Sequence, residues 1–273
     1  MLPLHHYLAN FLRHCLLAVQ FFTRIPITGA LADWVGFSPS MLRASAAHFA
    51  GVGWIVGGVA AAVYATVAQA SSSVFTPLVA AGLSSVATAL LTGGFHEDGL
   101  ADVADGLGGS YDKDRALEIM KDSRVGAFGA MALVLALLCK VSLLAVLGSA
   151  SVLLACLTLL AAHVVSRACP MALVRWLPHV GDTATSKSKP LADQITNGTL
   201  WSNLAWCAML VPLVVVAQSS ALILVATGCA LIALAFMAHL FVRRLQGFTG
   251  DCLGATQQVC ETAFYLGALF ALG

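Results

Sequence analysis

The chain has 273 residues, of which 59% are hydrophobic and 10% charged, with a formal net charge of +1, whereas a soluble domain carries roughly 25% charged residues. A chain this apolar, with a mean hydropathy of +0.89, cannot cover a water-facing surface, so lipid must be its solvent over much of its area. No basic run or aromatic–basic interleaving marks a nucleic-acid groove, and the eight cysteines lie scattered in apolar segments without a CxxC pair, as small apolar residues rather than a zinc or disulfide framework.

In chain order, His5, His6 and Arg13 precede an apolar stretch, His14–Ile27, that is broken by Arg24-Ile25-Pro26. No small-residue cleavage site follows cleanly, so a removable signal peptide is not expected; the stretch reads as a re-entrant or interfacial helix. Spanning a bilayer takes about 20 apolar residues in a helix. Seven segments qualify: about 44–70, 74–95, 126–148, 151–172, 200–218, 220–240 and 254–272. Ser71–Ser73, Gly148–Ser151 and Gln218–Ser220 are tiny uncharged turns, whereas 24–43, 96–125, 173–199 and 241–253 carry nearly all the charge. Twelve of the fourteen Lys and Arg residues lie in or beside those four segments or in the N-terminal stretch; the exceptions are Lys140 and Arg167. With seven spans every charged connection falls on one face, which the positive-inside rule makes cytoplasmic. Spans rich in Ala, Gly and Ser, such as GVGWIVGGVAAAVYA, predict close helix packing. No fixed-period repeat or separate soluble domain is visible, so residues 1–273 are expected to form one integral membrane domain, all-α and polytopic.

The connection after the second span holds eight of the thirteen acidic residues: Glu97, Asp98, Asp102, Asp105, Asp112, Asp114, Glu118 and Asp122. A helix continuing from that span places Asp98, Asp102 and Asp105 at i, i+4 and i+7, within roughly 60° of one another at about 100° per residue. Glu118 and Asp122 form a second i, i+4 pair. Stacked carboxylates repel unless a cation sits among them, and all-oxygen donors suit Mg²⁺, Mn²⁺ or Ca²⁺ rather than zinc. The plainer alternative is a solvated acidic loop with helix-capping aspartates. Against it stand the helical spacing, the interleaved glycines, and the position beside a span, where uncompensated carboxylates are expensive.

Lys121, Arg124 and the glycines of KDSRVGAFGA open the third span and form a phosphate-binding environment, or else simply anchor the chain by the positive-inside rule. Lys140, Arg167 and Glu261 fall within spans, where ionisable groups face the bundle interior or a water-filled cavity. Lys140, about 14 residues into its span and so roughly 20 Å deep, either pairs with Glu261 or contacts an anionic substrate. Asp251, among the glycines of GFTGDCLGA, either caps the last helix or contacts substrate or metal. His48, His163 and His239 are read as packing or interfacial residues.

The run GGFHEDGLADVADGLGG followed by ALEIMKDSRVGAFGA resembles the signature of the cobalamin (5′-phosphate) synthase family. FFTRIPI (Phe21–Ile27), Arg167 in VVSRA and TGDCLGA (Thr249–Ala255) resemble further family segments in the same order, so the likeness covers nearly the whole chain. It implies an adenosylcobinamide-GDP ribazoletransferase of the bacterial inner membrane, joining adenosylcobinamide-GDP to α-ribazole or its 5′-phosphate late in cobalamin assembly, with release of GMP and use of Mg²⁺. Self-association, or assembly with other enzymes of that pathway, is left open. Carried onto this chain, Glu97, Asp98, Asp102, Asp105 and Asp122 are expected to hold metal, with His96 or an acidic residue accepting a proton. Arg24, Lys121, Arg124, Lys140, Arg167 and Asp251 are expected to contact substrate. Asp102-x-x-Asp105-Gly106 and Glu118-x-x-x-Asp122 are also partly similar to the metal motif of CDP-alcohol phosphotransferases, with Glu118 in place of an aspartate, a shorter spacing and no Ala-Arg following. That likeness implies a distant relation in fold and, as a rival function, a phospholipid synthase. A transporter is the more remote alternative, because these carboxylates cluster in one connection rather than at the bilayer midplane.

Overall fold

A computed structural model describes residues 4–181, 195–217 and 220–272. Residues 182–194 of the charged connection 173–199, including Lys187, Lys189 and Asp193, and residues 218–219 of the Gln218–Ser220 turn lie outside the described residues. Among the described residues every regular element is a helix, and the one extended pairing is a single bridge between His179 and Phe248.

The N-terminal stretch forms α1 (Leu4–Phe22), which stops just ahead of Arg24-Ile25-Pro26, because proline removes an amide donor and turns the preceding residue away from helix. Two short helices follow, α2 (Gly29–Val35) and α3 (Pro39–Ser45); Ser38 caps α3 by accepting from the Met41 amide at 3.1 Å, with Pro39 in the first turn. A single 3₁₀ turn at Ala46–His48 leads into α4 (Phe49–Ala70). Next come α5 (Thr76–Thr92), α6 (Phe95–Gly109), α7 (Lys113–Met120), α8 (Ala127–Ala150) and α9 (Val152–Trp176). The last four are α10 (Asn197–Ala208), α11 (Leu210–Ala217), α12 (Ser220–Leu245) and α13 (Gly250–Phe270).

Four stretches among the described residues are long and apolar enough to cross a membrane: Pro39–Ala70, Ala127–Ala150, Val152–Trp176 and Ala221–Leu245. A fifth crossing arises if α5 and α6, which meet at 91°, count as one bent span. Three of the seven expected segments therefore look different in three dimensions. The second does not run on into the acidic region: α5 ends at Thr92, and Gly93 and Gly94, with φ of 71° and 69°, turn the chain sharply before α6 begins. Positive φ at two consecutive residues suits glycine and strains most other side chains. The 200–218 segment is divided at Met209 into α10 and α11. The last segment is one helix, α13, but it buries Thr256, Gln257, Gln258 and Glu261, so its composition is too polar to count as an apolar span.

Burial ranks the helices. In α9, 72% of the membrane-length window is buried inside the bundle, against 17% for α8, whose apolar side chains face outward as a lipid-facing helix requires. Gly53 and Gly57 of α4 lie directly on the α9 backbone at His163, Val164 and Leu160, so a side chain at either position collides; this is the close approach the small-residue spans foretold. Helix α6 packs on α13 and α8, and α13 packs in turn on α12 and α9. Both ends of the acidic helix are therefore tied to long helices.

A candidate acidic active site

Helix α6 carries Asp98, Asp102 and Asp105 on adjoining turns, as their spacing requires. They meet different surroundings. Asp98 is exposed and Asp102 is half-buried. Asp105 is 8% exposed and accepts from the Gly126 amide at 2.6 Å and the Gly129 amide at 2.8 Å. Those amides open α8 and have no partner within their own helix, so Asp105 caps α8 from a neighbouring helix and ties α6 to it. Gly126 and Gly129 leave no room for a side chain beside its carboxylate. Spacing alone placed Asp105 with the metal ligands; its two oxygens are instead engaged in holding the bundle.

The carboxylate that joins Asp98 and Asp102 comes from far along the chain. Asp251 lies in the first turn of α13, whose N-terminus is capped by Thr249. Gly99 lets α6 come close to that turn, since a Cβ there would sit 2.7 Å from the Asp251 carbonyl oxygen. Burial, followed by the charges of Asp251, Asp98 and Asp105, pushes the Asp102 carboxyl from 3.8 up to about 7. The Asp251 carboxyl is raised as well, chiefly by burial and also by the charge of Asp98, against the lowering effect of the Thr249 hydroxyl. Two helices thus bring three acidic groups within electrostatic reach of one another. No three His, Cys, Asp or Glu side chains among the described residues converge closely enough to ligate one ion as they stand. The donor set is nonetheless all oxygen and mutually repulsive, which suits a hard divalent cation.

Two hollows flank α6 and share Val125. The first, about 680 Å³, is lined by Asp98, Arg24, Gln20, Thr23 and the Thr92–Phe95 bend. The Arg24 amide donates to the Leu91 carbonyl at 2.6 Å, and its guanidinium packs over Gly93, so the bend and the cation are placed together. The second hollow, about 670 Å³, is lined by Asp105, Arg115, Glu118, Asp122 and Arg124. There Asp122 pairs with Arg124 at 2.5 Å, and hydrogen bonds from Arg124 hold its carboxyl down at about 2. Glu118 pairs with Arg115 at 2.6 Å. Asp122, expected to hold metal, is therefore engaged by an arginine, as is its helical neighbour Glu118. Lys121 is exposed at the end of α7.

The remaining site residues point inward. His96 is 1% exposed, stacks on Phe49 with ring centroids 5.9 Å apart, and has an Nε2 without a partner. Lys140 is buried and its Nζ lies 2.5 Å from Glu261 Oε1, so the pairing alternative is the one the geometry displays. Arg167, also buried, donates from Nη1 to the His163 carbonyl oxygen at 3.0 Å and to His163 Nδ1 at 2.9 Å. Neither Lys140 nor Arg167 lines either hollow beside α6, so their burial gives no support to a contact with substrate. Around Glu261 the structure adds residues that the sequence reading passed over: Tyr265 donates to Oε1 at 2.8 Å and Gln257 to Oε2 at 2.7 Å. Their signal was a repeated polar position, 257, 258, 261 and 265, inside a segment counted as apolar.

A family model described as Cobalamin-5-phosphate synthase matches residues 14–269. A protein of Polaromonas naphthalenivorans is 60% identical over 276 residues, covering 96% of this chain and 99% of its own length. One of Polaromonas sp. is 61% identical over 279 residues, covering 97% and 99%. One of Vibrio cholerae is 42% identical over 251 residues, covering 92% and 91%. All three are named adenosylcobinamide-GDP ribazoletransferase. No solved structure matches the chain.

Proposed function

The chain belongs to the cobalamin-5-phosphate synthase family, and on that premise we propose that its acidic site joins adenosylcobinamide-GDP to α-ribazole or α-ribazole 5′-phosphate, with release of GMP and with Mg²⁺ as resident cofactor. The observation that carries this reading is the approach of Asp98 and Asp102 on α6 to Asp251 at the start of α13, close enough for their charges to act on one another.

Asp98, Asp102 and Asp251 would hold the ion. Mg²⁺ bound there supplies Lewis-acid stabilisation of the diphosphate. The residues of the chain do the rest. Arg24, fixed over the Gly93–Gly94 bend, neutralises phosphate oxygens in the first hollow. A ribazole hydroxyl forms the new P–O bond at the phosphate that stays with the corrinoid; the P–O bond to GMP breaks and GMP leaves with its electron pair. The hydroxyl proton passes to a carboxylate of the cluster. His96 faces the interior, away from this proton. Asp105, already bound by two amides, acts as a strut rather than a ligand.

The finer topology belongs to the same proposal. Seven crossings, with α10–α11 and α13 added to the five apolar ones and α1 lying at the interface, leave the charged connections and the acidic site on the cytoplasmic face of the bacterial inner membrane. The distant likeness to CDP-alcohol phosphotransferases rests on the Asp102-x-x-Asp105-Gly106 and Glu118-x-x-x-Asp122 spacings.

The test is turnover by purified protein in liposomes supplied with adenosylcobinamide-GDP, α-ribazole 5′-phosphate and Mg²⁺, with GMP release as the readout. Folded protein that releases no GMP in a metal-dependent manner overturns the reading.

A further inference from the structure

We infer that Gln258 is a positioning residue for Glu97, anchored through Gln257 on the buried ion pair between Lys140 and Glu261. The inference rests on the reading of the acidic site given above, because Glu97 immediately precedes Asp98.

Glu261 is saturated: Oε1 takes Lys140 Nζ at 2.5 Å and the Tyr265 hydroxyl at 2.8 Å, and Oε2 takes Gln257 Nε2 at 2.7 Å. Gln257 Nε2 also donates to Ser166 Oγ at 2.9 Å. Gln258 Nε2 donates to Gln257 Oε1 at 2.9 Å and to Glu97 Oε1 at 3.2 Å. A carboxamide has two N–H hydrogens, so both amides are fully used as donors, and reversing either sets oxygen against oxygen. The direction of the relay is therefore fixed at its charged end and delivered to Glu97. Gln257, Gln258 and Glu261 are all buried, in a setting where an unmade hydrogen bond is expensive.

The destination separates this relay from ordinary core packing. Glu97 Oε1 is held by Gln258, whereas Oε2 is buried without any partner. A carboxylate with a purely structural role has both oxygens satisfied, and a buried orphan acceptor demands a ligand. Glu97 sits one residue from Asp98, and Arg167, on the α9 side, is within its electrostatic reach. One oxygen is fixed and one is left open within reach of Arg167, whose Nε is likewise buried without a partner, so the carboxylate is held ready to accept a cation or a proton. Outer partners of such ligands typically change metal affinity or activity by about 10–100-fold when removed.

The experiment measures Mg²⁺ binding by calorimetry, and GMP release against Mg²⁺ concentration, for the full chain in liposomes, with Gln258→Leu, Gln257→Leu, Glu97→Gln and the Glu97→Gln/Gln258→Leu pair. Gln258→Leu is expected to raise the half-saturating Mg²⁺ concentration or lower kcat by about tenfold or more, with KM for both organic substrates within about twofold, in protein that still folds at a melting temperature lowered by the two acceptors left unpaired. Gln257→Leu moves the same parameter less. The double variant is no worse than Glu97→Gln alone, because Gln258 acts through Glu97. Wild-type Mg²⁺ dependence and kcat in Gln258→Leu, or losses that add fully in the double variant, overturn the inference. If Gln258→Leu does not fold, Gln258→Met and Gln257→Leu decide by the same criteria. Asp102→Asn separates the two readings. Normal turnover in that variant overturns the acidic-site assignment and this inference with it; an inactive Asp102→Asn beside an unaffected Gln258→Leu overturns the inference alone.

Discussion

Helix α13 passes through two acidic environments that differ in how their charge is met. At its first turn, Asp251 approaches Asp98 and Asp102, and burial and repulsion between carboxylates raise the carboxyls of Asp102 and Asp251. Ten residues further on, about 15 Å along the helix, Glu261 is ringed by Lys140, Tyr265 and Gln257. The same chemical group is satisfied by protein in one place and left waiting for a cation in the other. A carboxylate completed within the bundle builds structure, and one left incomplete near a hollow is available for chemistry.

The contrast is broken most severely by removing one partner of the buried pair. Lys140→Met leaves the Glu261 charge unpaired in the interior and is expected to cost about 3–5 kcal/mol of stability, read as a lowered melting temperature or failed expression. Adding Glu261→Gln should recover part of that loss. At the other pole, Asp102→Asn is expected to cut GMP release by at least about 100-fold, by analogy with the loss of a single electrostatic contact in an active site. In metal-free protein its melting temperature should hold or rise, because a repelling charge has gone. A smaller effect follows from the Asp102 carboxyl near 7: cation binding requires the deprotonated form. Mg²⁺ affinity should therefore fall about tenfold from pH 8 to pH 6, measurable by calorimetry or by half-saturation of turnover. A flat profile across that range would detach Asp102 from the ion. Smallest is Gly126→Ala, which crowds the carboxylate that caps α8 and should lower stability by about 1–2 kcal/mol, the worth of a helix cap.

Particular residues explain how much of this was legible in the sequence. The all-helical membrane class followed from apolar run length, and the Asp98–Asp102–Asp105 stripe from helical period. Run length was blind to Gly93 and Gly94: both count as permissible in an apolar window, yet their φ values end α5 and swing α6 by 91°. Period was equally blind to partners. It grouped Asp105 with Asp98, whereas the amides of Gly126 and Gly129 claim it from another helix. Asp251 lies about 150 residues from Asp102, and its approach depends on Gly99 having no side chain. The pairing of Lys140 with Glu261 was readable as one of two alternatives, because a lone intramembrane charge seeks an opposite one. Gln257 and Gln258 left a polar signal in the last segment, but nothing in run length said which groups they would bond.

The length of α5 has a consequence for the surrounding lipid. Its 17 residues reach only about 25 Å at 1.5 Å per residue, short of a hydrocarbon layer roughly 30 Å thick. If α5 crosses the layer by itself, the bilayer beside it must thin or admit water before the chain turns at Gly93, to relieve the hydrophobic mismatch. That dimple adjoins the first hollow, whose wall includes the Thr92–Phe95 bend. Membrane thickness thereby becomes a variable of the site itself, and a bulky, polar nucleotide-linked substrate meets a lowered headgroup barrier where Arg24 and Asp98 stand.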